Sequence, residues 1–485
     1  MHRLAAATFA IGLGCSHQAS GPSDSGPSIQ SFVASSGPIA PGGSAQLIAF
    51  FSGGAGAIDN GVGAVQSGVA VAVSPLAATT YSLTVGNGIR SVNATVTVQV
   101  AGGACIGKAL LDSLGKTRVL VGASMLEPSA AAAPWDVRYL YLAGGIFDGS
   151  APCASCASNC TASSRSCANS AGGCGWWGCY QYDQIPPGDF ARQFVSSAKA
   201  RGQLPWFSYY ELLHSSKLAE GDAEVAAIND AAFLARYLGD FRFLLQQIGN
   251  EPAMVHVEPD FWGYAQRVNP DPHGIPAKVR EAAPSDCGGQ EESLAGFGKC
   301  LVAMARKYAP NARIGLHASY WATGVDVALN PNGALDVRAE ARKVATFLDA
   351  AGATAGDFVV IDASDRDAGY YQSIGRHTFW DDKNQTLPDF HQAFSWAKAL
   401  AEGLQIPVVY WQVPVGNAAQ NNTTDHWKDN RVDYFFAQPG ELAAAHVAGM
   451  LFGAGAGGMT TPESDGGNLI ARAKAYAQTP QPLCP

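Results

Sequence analysis

Eight short apolar segments in the second part of the chain constrain its fold more than any other feature. Segments with a helical period lie between most of them, for example DFARQFVSSAKARG and VRAEARKVATFLDAAG, and successive apolar segments start about 45 residues apart. Strands that alternate with helices are typical of parallel sheets, and eight such units predict an α/β fold, a (β/α)8 barrel, over residues 105–485. The eight predicted strands are RVLVGAS (118–124), VRYLYLAGG (137–145), LPWFSYYE (204–211), MVHVEPD (254–260), ARIGLHAS (312–319), DFVVIDAS (357–364), IPVVYWQ (406–412) and HVAGMLFGAG (446–455).

Two observations bear on alternatives to the barrel. No GxGxxG motif follows the first predicted strand, which argues against an open dinucleotide-binding sheet. Between the first two strands, LEPSAAAAPWD is short and interrupted by proline, so we expect no good helix there.

Residues 28–100 have a different pattern, with about seven short β-rich runs separated by Gly, Pro and Asn. TYSLTV and NATVTVQV alternate apolar and polar residues, which predicts a small antiparallel sandwich. The stretches PSIQSFVASSGPIAPGGSAQLIAFF and VSPLAATTYSLTV resemble bacterial immunoglobulin-like modules of secreted enzymes. That resemblance implies a spacer or adhesion role.

The first residues predict export. MHRLAAATFAIGLGC, residues 1–15, has one Arg before an apolar stretch too short to span a bilayer, which is the form of a signal peptide. Cys15 with the residues before it resembles a lipoprotein cleavage box, although Gly12 replaces the usual large aliphatic residue; the alternative is a conventional signal cut nearby. A Ser/Gly/Pro linker follows at residues 16–27.

Ten further cysteines fit an exported, disulfide-bonded protein. Six lie within PCASCASNCTASSRSCANSAGGCGWWGC, which contains no His and no two clean CxxC pairs, so disulfides are favoured there over zinc. We expect Cys105 and Cys484 to join the two ends of the barrel domain, and Cys287 and Cys300 to close a small loop.

Charge and composition exclude some classes of partner. The net charge is −9 and no basic run is present, so neither nucleic acid nor an anionic membrane surface is expected. Membrane attachment would come only through a lipid on Cys15. We expect a monomer without a cofactor.

Polar residues collect where the predicted strands end, which is where barrel enzymes have their active sites. Side chains alternate along a strand, so His256, Glu258 and Asp260 are predicted to share one side of the fourth strand. Close carboxyl groups at the mouth of the barrel would raise the pKa of one of them, as a general acid requires. We assign Glu258 as acid, Asp362 as nucleophile or base, and Asp260 as the group that tunes the acid; Glu211 and Asp365 are substitutes.

Aromatic and polar residues around these carboxyl groups would bind a sugar. Trp176 and Trp177 end the Cys-rich loop, where disulfides would stiffen a stacking surface for pyranose rings. The full set of predicted substrate-binding residues is Glu211, Tyr209, His256, Trp262, His317, Asp365, Trp411, Gln412, Trp176 and Trp177.

The segment VHVEPDFWGY resembles the Glu-Pro-Asp strand of family 6 glycoside hydrolases, which act on cellulose. The likeness covers about ten residues, and no counterpart of that family's separate acid-bearing loop is found, so its catalytic roles are not transferred. The large retaining clan of barrel glycosidases has an acid Glu after strand four and a nucleophile Glu after strand seven. Glu258 suits the first position, but Trp411 and Gln412 stand at the second.

The sequence therefore predicts a secreted or surface-anchored glycoside hydrolase that cleaves a polysaccharide by carboxylate acid/base catalysis. One alternative is a non-catalytic glycan-binding surface lipoprotein. Another is a metal-dependent barrel hydrolase with His256, Glu258, His317 and Asp362 as ligands, although the HxH of barrel amidohydrolases is absent from the first strand. No GxSxG motif supports serine hydrolase chemistry.

Overall fold

A computed structural model describes residues 26–35, 39, 43–75, 79–98, 105–143, 146 and 188–484. The chain divides into two compact units, Met1–Ala104 and Cys105–Pro485. The predicted signal peptide, Cys15, nearly all of the linker, the six clustered cysteines, Trp176 and Trp177 lie outside the described residues.

The first unit contains two antiparallel sheets, with strand orders β1-β2-β5 and β4-β3-β6-β7. Buried side chains alternate with exposed ones, as at Tyr81, Leu83 and Val85 of β6. Residues of both sheets, including Leu47, form one apolar core. The strands are β1 Ser28–Ala34, β2 Ala45–Ser52, β3 Ala55–Ile58, β4 Gly63–Val65, β5 Ala70–Val73, β6 Thr79–Gly86 and β7 Ser91–Val98.

The second unit is a closed parallel barrel, which confirms the predicted fold class. Its strands pair in chain order from β8 to β15, and β15 pairs with β8 to close the ring. Each of the eight predicted strands forms one barrel strand. They are β8 Leu120–Ser124, β9 Val137–Leu142, β10 Leu204–Tyr209, β11 Ala253–Val257, β12 Ala312–His317, β13 Phe358–Asp362, β14 Val408–Val413 and β15 Val447–Phe452.

Helices connect the barrel strands. The two helical segments quoted from the sequence, DFARQFVSSAKARG and VRAEARKVATFLDAAG, form the helices Asp189–Ala200 and Val337–Ala350. We expected no good helix between β8 and β9, but this segment forms the six-residue helix α2. Its proline lies in the first turn, where proline is tolerated. The helices are α1 Lys108–Ser113, α2 Glu127–Ala132, α3 Asp189–Ala200, α4 Leu212–Ser216, α5 Asp222–Ala227, α6 Ala231–Ile248, α7 Phe261–Val268, α8 Val279–Ala282, α9 Pro284–Cys287, α10 Leu294–Tyr308, α11 Val337–Ala350, α12 Ala368–Ser373, α13 Phe390–Leu404, α14 Arg431–Ala437, α15 Pro439–Ala444 and α16 Asn468–Tyr476.

The barrel has two apolar layers. Side chains such as Trp206, Met254 and Phe358 fill its interior, and a larger layer packs between the strands and the surrounding helices. Because the lower interior is filled with large apolar side chains, polar chemistry is confined to the upper interior and the mouth.

Disulfides join Cys105 to Cys484 and Cys287 to Cys300, which confirms both predicted pairs. The first connects the two ends of the barrel unit across 379 residues of sequence. Such bonds are typical of proteins outside the reducing cytosol. Among the helices in the described ranges, none is long and apolar enough to cross a membrane.

Candidate active site

A cavity of about 480 Å³ opens at the carboxyl ends of the barrel strands. Residues that end or follow β9 to β15 all contribute to it, so the mouth of the barrel is a composite of many loops. Its polar and aromatic lining includes Tyr141, Tyr210, Glu220, Asp260, Tyr264, Tyr320, Trp321, Asp326, Asp362, Asp365, Tyr371, Arg376, Trp411 and Gln412.

Asp260 is the carboxyl group in this cavity with the clearest signature of an acid. Burial raises its pKa to about 7; His317 opposes this rise, and the negative charge of Asp362 adds to it. Asp260 precedes α7, but its side chain makes no capping hydrogen bond to that helix. A carboxyl group that is half protonated near neutral pH and lines a cavity can donate a proton there.

Asp362 ends β13, which is separated from β11 in the barrel by β12. Its Oδ1 lies 3.5 Å from Nε2 of His317, a side chain that is fully buried at the end of β12. Nδ1 of His317 in turn lies 3.1 Å from Nε2 of His256. Both histidines, predicted as substrate-binding residues, therefore lie in the barrel interior. His317 contacts Asp362, and His256 contacts His317.

Glu258 is placed differently from the sequence prediction. It does not line the cavity, and its side chain is fully buried between the strands and helix α6, where Oε1 accepts a 2.8 Å hydrogen bond from the hydroxyl of Tyr237. Oε1 also accepts hydrogen bonds from the backbone N–H groups of Glu211 and Leu212, at 3.1 and 3.2 Å. Through these two hydrogen bonds, Glu258 fixes the backbone at the start of helix α4.

The prediction that His256, Glu258 and Asp260 share one side of the strand is wrong. Strand β11 ends at Val257, and the backbone φ is 51° at Glu258 and 65° at Asp260. These left-handed conformations break the alternation of side chains. His256 consequently faces the interior, Glu258 the helix layer, and Asp260 the cavity.

Burial raises the pKa of Glu258 to about 8, against hydrogen bonds from Glu211, Tyr237 and Leu212 that favour the charged form. An unfolded glutamate, with a pKa near 4.5, loses its proton first as pH rises, so Glu258 lowers the free energy of unfolding between pH 4.5 and 8. We expect Glu258→Gln to leave stability nearly unchanged at pH 4.5 and to raise it at pH 8 by on the order of 4 kcal/mol. Thermal unfolding at both pH values measures this difference.

Glu251→Gln is the matched control for that experiment, because Glu251 is a partly exposed partner of Lys199. Its effect on stability should be small and nearly independent of pH over the same interval. A Glu258→Gln variant whose stability relative to the wild type does not change from pH 4.5 to 8 would contradict the assigned environment of Glu258.

The other predicted substrate-binding residues separate into two groups. Asp365, Trp411 and Gln412 line the cavity. Tyr209 donates a 2.7 Å hydrogen bond to Asp240, and Trp262 donates one to the carbonyl of Val257. Both aromatic side chains are buried in the layer between strands and helices, as is Glu211.

Two pairs of contacting aromatic rings line the cavity. The rings of Tyr264 and Trp321 are 4.6 Å apart, and those of Tyr141 and Trp411 are 5.2 Å apart. Tyr264 was not a predicted site residue, although the period of α7 puts it one turn after Asp260, which was a usable signal. Arg376, stacked on Tyr371 at 4.4 Å, was also missed, because it lies in a loop with no periodic pattern.

Buried ionic contacts hold the loops that form the cavity wall. Asp367, which follows β13, accepts 2.8 Å hydrogen bonds from the N–H groups of Gly416, after β14, and Thr460, after β15. Arg431 and Asp429 form a fully buried ion pair at 2.8 Å. Three successive loops are thereby fixed to one another.

The alternative metal site is not assembled as the sequence suggested. His256 and His317 contact each other, and Glu258 is turned toward α4 and α6. In the part of the chain that the structure describes, no group of three or more His, Cys, Asp and Glu side chains is arranged to hold a metal ion.

Comparisons with known proteins give limited results. No protein-family model matches the chain, and no curated protein matches it. Among solved structures, a modular family 26 endo-β-1,4-mannanase from Cellulomonas fimi is 13% identical, with a TM-score of 0.44 and coverage of 78% of this chain and 75% of the mannanase. The endo-β-1,4-mannanase of Thermotoga petrophila is 11% identical, with a TM-score of 0.40 and coverage of 76% and 77%.

A third similar structure is the endoglucanase Cel6 from Mycobacterium tuberculosis, at 14% identity and a TM-score of 0.27. This match covers 46% of the present chain and 56% of the endoglucanase. All three TM-scores are below 0.5, so these similarities carry no argument about chemistry.

Proposed function

We propose that this protein is an exported glycoside hydrolase that cleaves a polysaccharide, with Asp260 as general acid and Asp362 as base or nucleophile. The observation that carries the proposal is the presence in one barrel-mouth cavity of two carboxyl groups in different environments. The pKa of Asp260 is raised to about 7, whereas Oδ1 of Asp362 lies 3.5 Å from Nε2 of His317. Glycoside hydrolysis commonly uses two carboxyl groups, one of which donates a proton.

The surroundings of the two carboxyl groups suit a carbohydrate. The aromatic pairs Tyr264–Trp321 and Tyr141–Trp411 line the cavity, and Gln412 and Arg376 add polar groups. A cavity that combines aromatic surface with a few convergent polar groups is typical of small-ligand and sugar sites. The first-assigned acid, Glu258, has no access to this cavity lining, so the acid role is transferred to Asp260.

Release of reducing sugar from a panel of soluble polysaccharides, measured on the full chain with and without EDTA, tests this proposal. EDTA-resistant release from a glucan, mannan, xylan or chitin-type polymer would support it and identify the substrate class. Release that EDTA abolishes would favour the metal-dependent alternative. Binding to one polymer without release of sugar would favour the glycan-binding alternative.

A further inference from the structure

The cavity at the mouth of the barrel is strongly acidic. Among the described residues that line it, five carry a carboxyl group and one, Arg376, carries a positive charge. The five acidic residues are Glu220, Asp260, Asp326, Asp362 and Asp365. The whole chain has 40 Asp and Glu against 31 Lys and Arg, so the excess of acid belongs to the cavity and does not follow from overall composition.

Ion pairs compensate little of this negative charge. Of the five acidic residues, Asp365 pairs with Arg366, and no Lys or Arg side chain in the described part of the chain forms an ion pair with the other four. Burial raises the pKa of Asp260 and of Asp326, and in both the negative charge of Asp362 adds to the rise. The carboxyl groups of the cavity therefore repel one another.

Two uncharged polar atoms of the lining residues also lack partners. Oγ1 of Thr378 and Nε1 of Trp411 make no hydrogen bond with any described residue, although each residue is only 2% exposed. A buried polar atom without a partner costs free energy until a ligand or water supplies one. A threonine hydroxyl can accept a hydrogen bond from an ammonium group, and an indole N–H can donate one to a sugar hydroxyl.

One of the unpaired carboxylates lies beside an aromatic pair. The hydroxyl of Tyr264 donates a 3.1 Å hydrogen bond to Oε1 of Glu220, and the ring of Tyr264 is 4.6 Å from that of Trp321. A carboxylate attracts a cation by its charge, and an aromatic ring attracts one by its negative face. This part of the cavity therefore favours a sugar with a positively charged group.

A cationic ligand would relieve the repulsion among the carboxyl groups. A metal ion does not fit this role, since no group of three or more His, Cys, Asp and Glu side chains in the described ranges is arranged to hold one. We propose, resting on the function proposed above, that the polysaccharide is built of amino sugars with free, protonated amines, and that Glu220 and Asp326 select this positive charge. Asp260 and Asp362 remain the reacting pair.

Binding of three tetrasaccharides with the same β-1,4 linkage tests this specificity without any need for hydrolysis. At pH 6 the glucosamine tetramer is cationic, whereas the N-acetylglucosamine and glucose tetramers are neutral. We expect the full chain to bind the glucosamine tetramer about tenfold or more tightly than either neutral one, followed by tryptophan fluorescence, and the preference to shrink at high salt. Equal affinities, or no binding of the glucosamine tetramer, would overturn the proposal.

Variants of the cavity residues test which charges select the ligand. Glu220→Gln and Asp326→Asn should each weaken binding of the glucosamine tetramer about tenfold, because an amide keeps an acceptor oxygen but removes the charge. Arg376→Gln should strengthen it about threefold, a gain that a damaged fold cannot produce. Asp382→Asn, at an exposed position outside the cavity, should bind as wild type. A loss there equal to that of Glu220→Gln would indicate general attraction to an acidic chain and would overturn the selection by the cavity.

Hydrolysis separates this inference from the function on which it rests. Release of sugar from a neutral polysaccharide, without preferential binding of the glucosamine tetramer, would leave the glycoside hydrolase in place and overturn the amino-sugar substrate. Preferential binding of the glucosamine tetramer, without release of sugar from any polymer, would support the cationic ligand and remove the hydrolase.

Discussion

Asp260→Asn and Asp362→Asn should each lower kcat/KM on a polysaccharide by about 10³-fold or more without loss of the folded state. Both residues line the cavity, and Asn keeps the size of the side chain while removing the proton transfer or the charge that each role needs. Glu258→Gln should retain activity within about tenfold near pH 6, because its carboxyl group contacts α4 and α6 and not the cavity. Steady-state kinetics of the three purified variants give the comparison.

The two carboxyl roles can be separated by the leaving group of the substrate. An aryl glycoside with a very acidic phenol as leaving group needs no proton donor, so Asp260→Asn should recover most of its activity on it, whereas Asp362→Asn should not. Asp382→Asn, on an exposed side chain, is the neutral control. If Glu258→Gln is as inactive as expected for Asp260→Asn, and Asp260→Asn is not, Glu258 is the acid and the present assignment is wrong.

Asp260 also predicts the shape of the pH profile. The acid must be protonated, and burial and Asp362 raise its pKa to about 7, so kcat/KM should fall as pH rises above 7. This alkaline decline should be absent in Asp260→Asn with the activated aryl glycoside.

The barrel could be predicted from the sequence because its periodicity is repeated eight times, and each repeat supports the same parallel topology. The two confirmed disulfides followed from the even number of cysteines and from their positions at the ends of the domain and of a loop. These features depend on patterns along the chain. The direction of a single side chain depends on the local backbone conformation, which no repeated pattern along the chain reveals.

The candidate site could be predicted only in part, for local physical reasons. The sequence predicted Asp260 and Asp362 as site residues, and both line the cavity. The alternation rule failed at Glu258, because two residues with positive φ follow the end of β11. Trp262 lies five residues after the end of β11, in the first turn of α7, where its ring stacks on that of Phe297. The contact between His256 and His317 could not be predicted, because it depends on the register of β11 and β12.

Arg431→Ala should produce the largest loss of stability among single substitutions in the loops of the barrel mouth. Arg431 donates a 2.8 Å hydrogen bond to Asp429 and a 2.7 Å one to the carbonyl of Thr378, and its guanidinium lies 4.6 Å from the ring centre of Trp380. Removal of one partner of a buried ion pair leaves the other charge buried without compensation, which destabilises by about 3–5 kcal/mol. Denaturant unfolding of the full chain, followed by tryptophan fluorescence, measures this effect.

Arg472→Ala provides the matched control, because Arg472 also pairs with an aspartate, Asp433, at 2.7 Å but is half exposed. An exposed pair contributes about 0–1 kcal/mol, so the two Arg→Ala variants should differ severalfold in their loss of stability. Arg431→Lys should fall between them, since a lysine keeps the charge but cannot bond Asp429 and Thr378 with two arms of one planar group. Equal losses for Arg431→Ala and Arg472→Ala would mean that the buried pair does not hold the cavity wall. In that case the hydrogen bonds of Asp367 to Gly416 and Thr460 would be left as the contacts that join these loops.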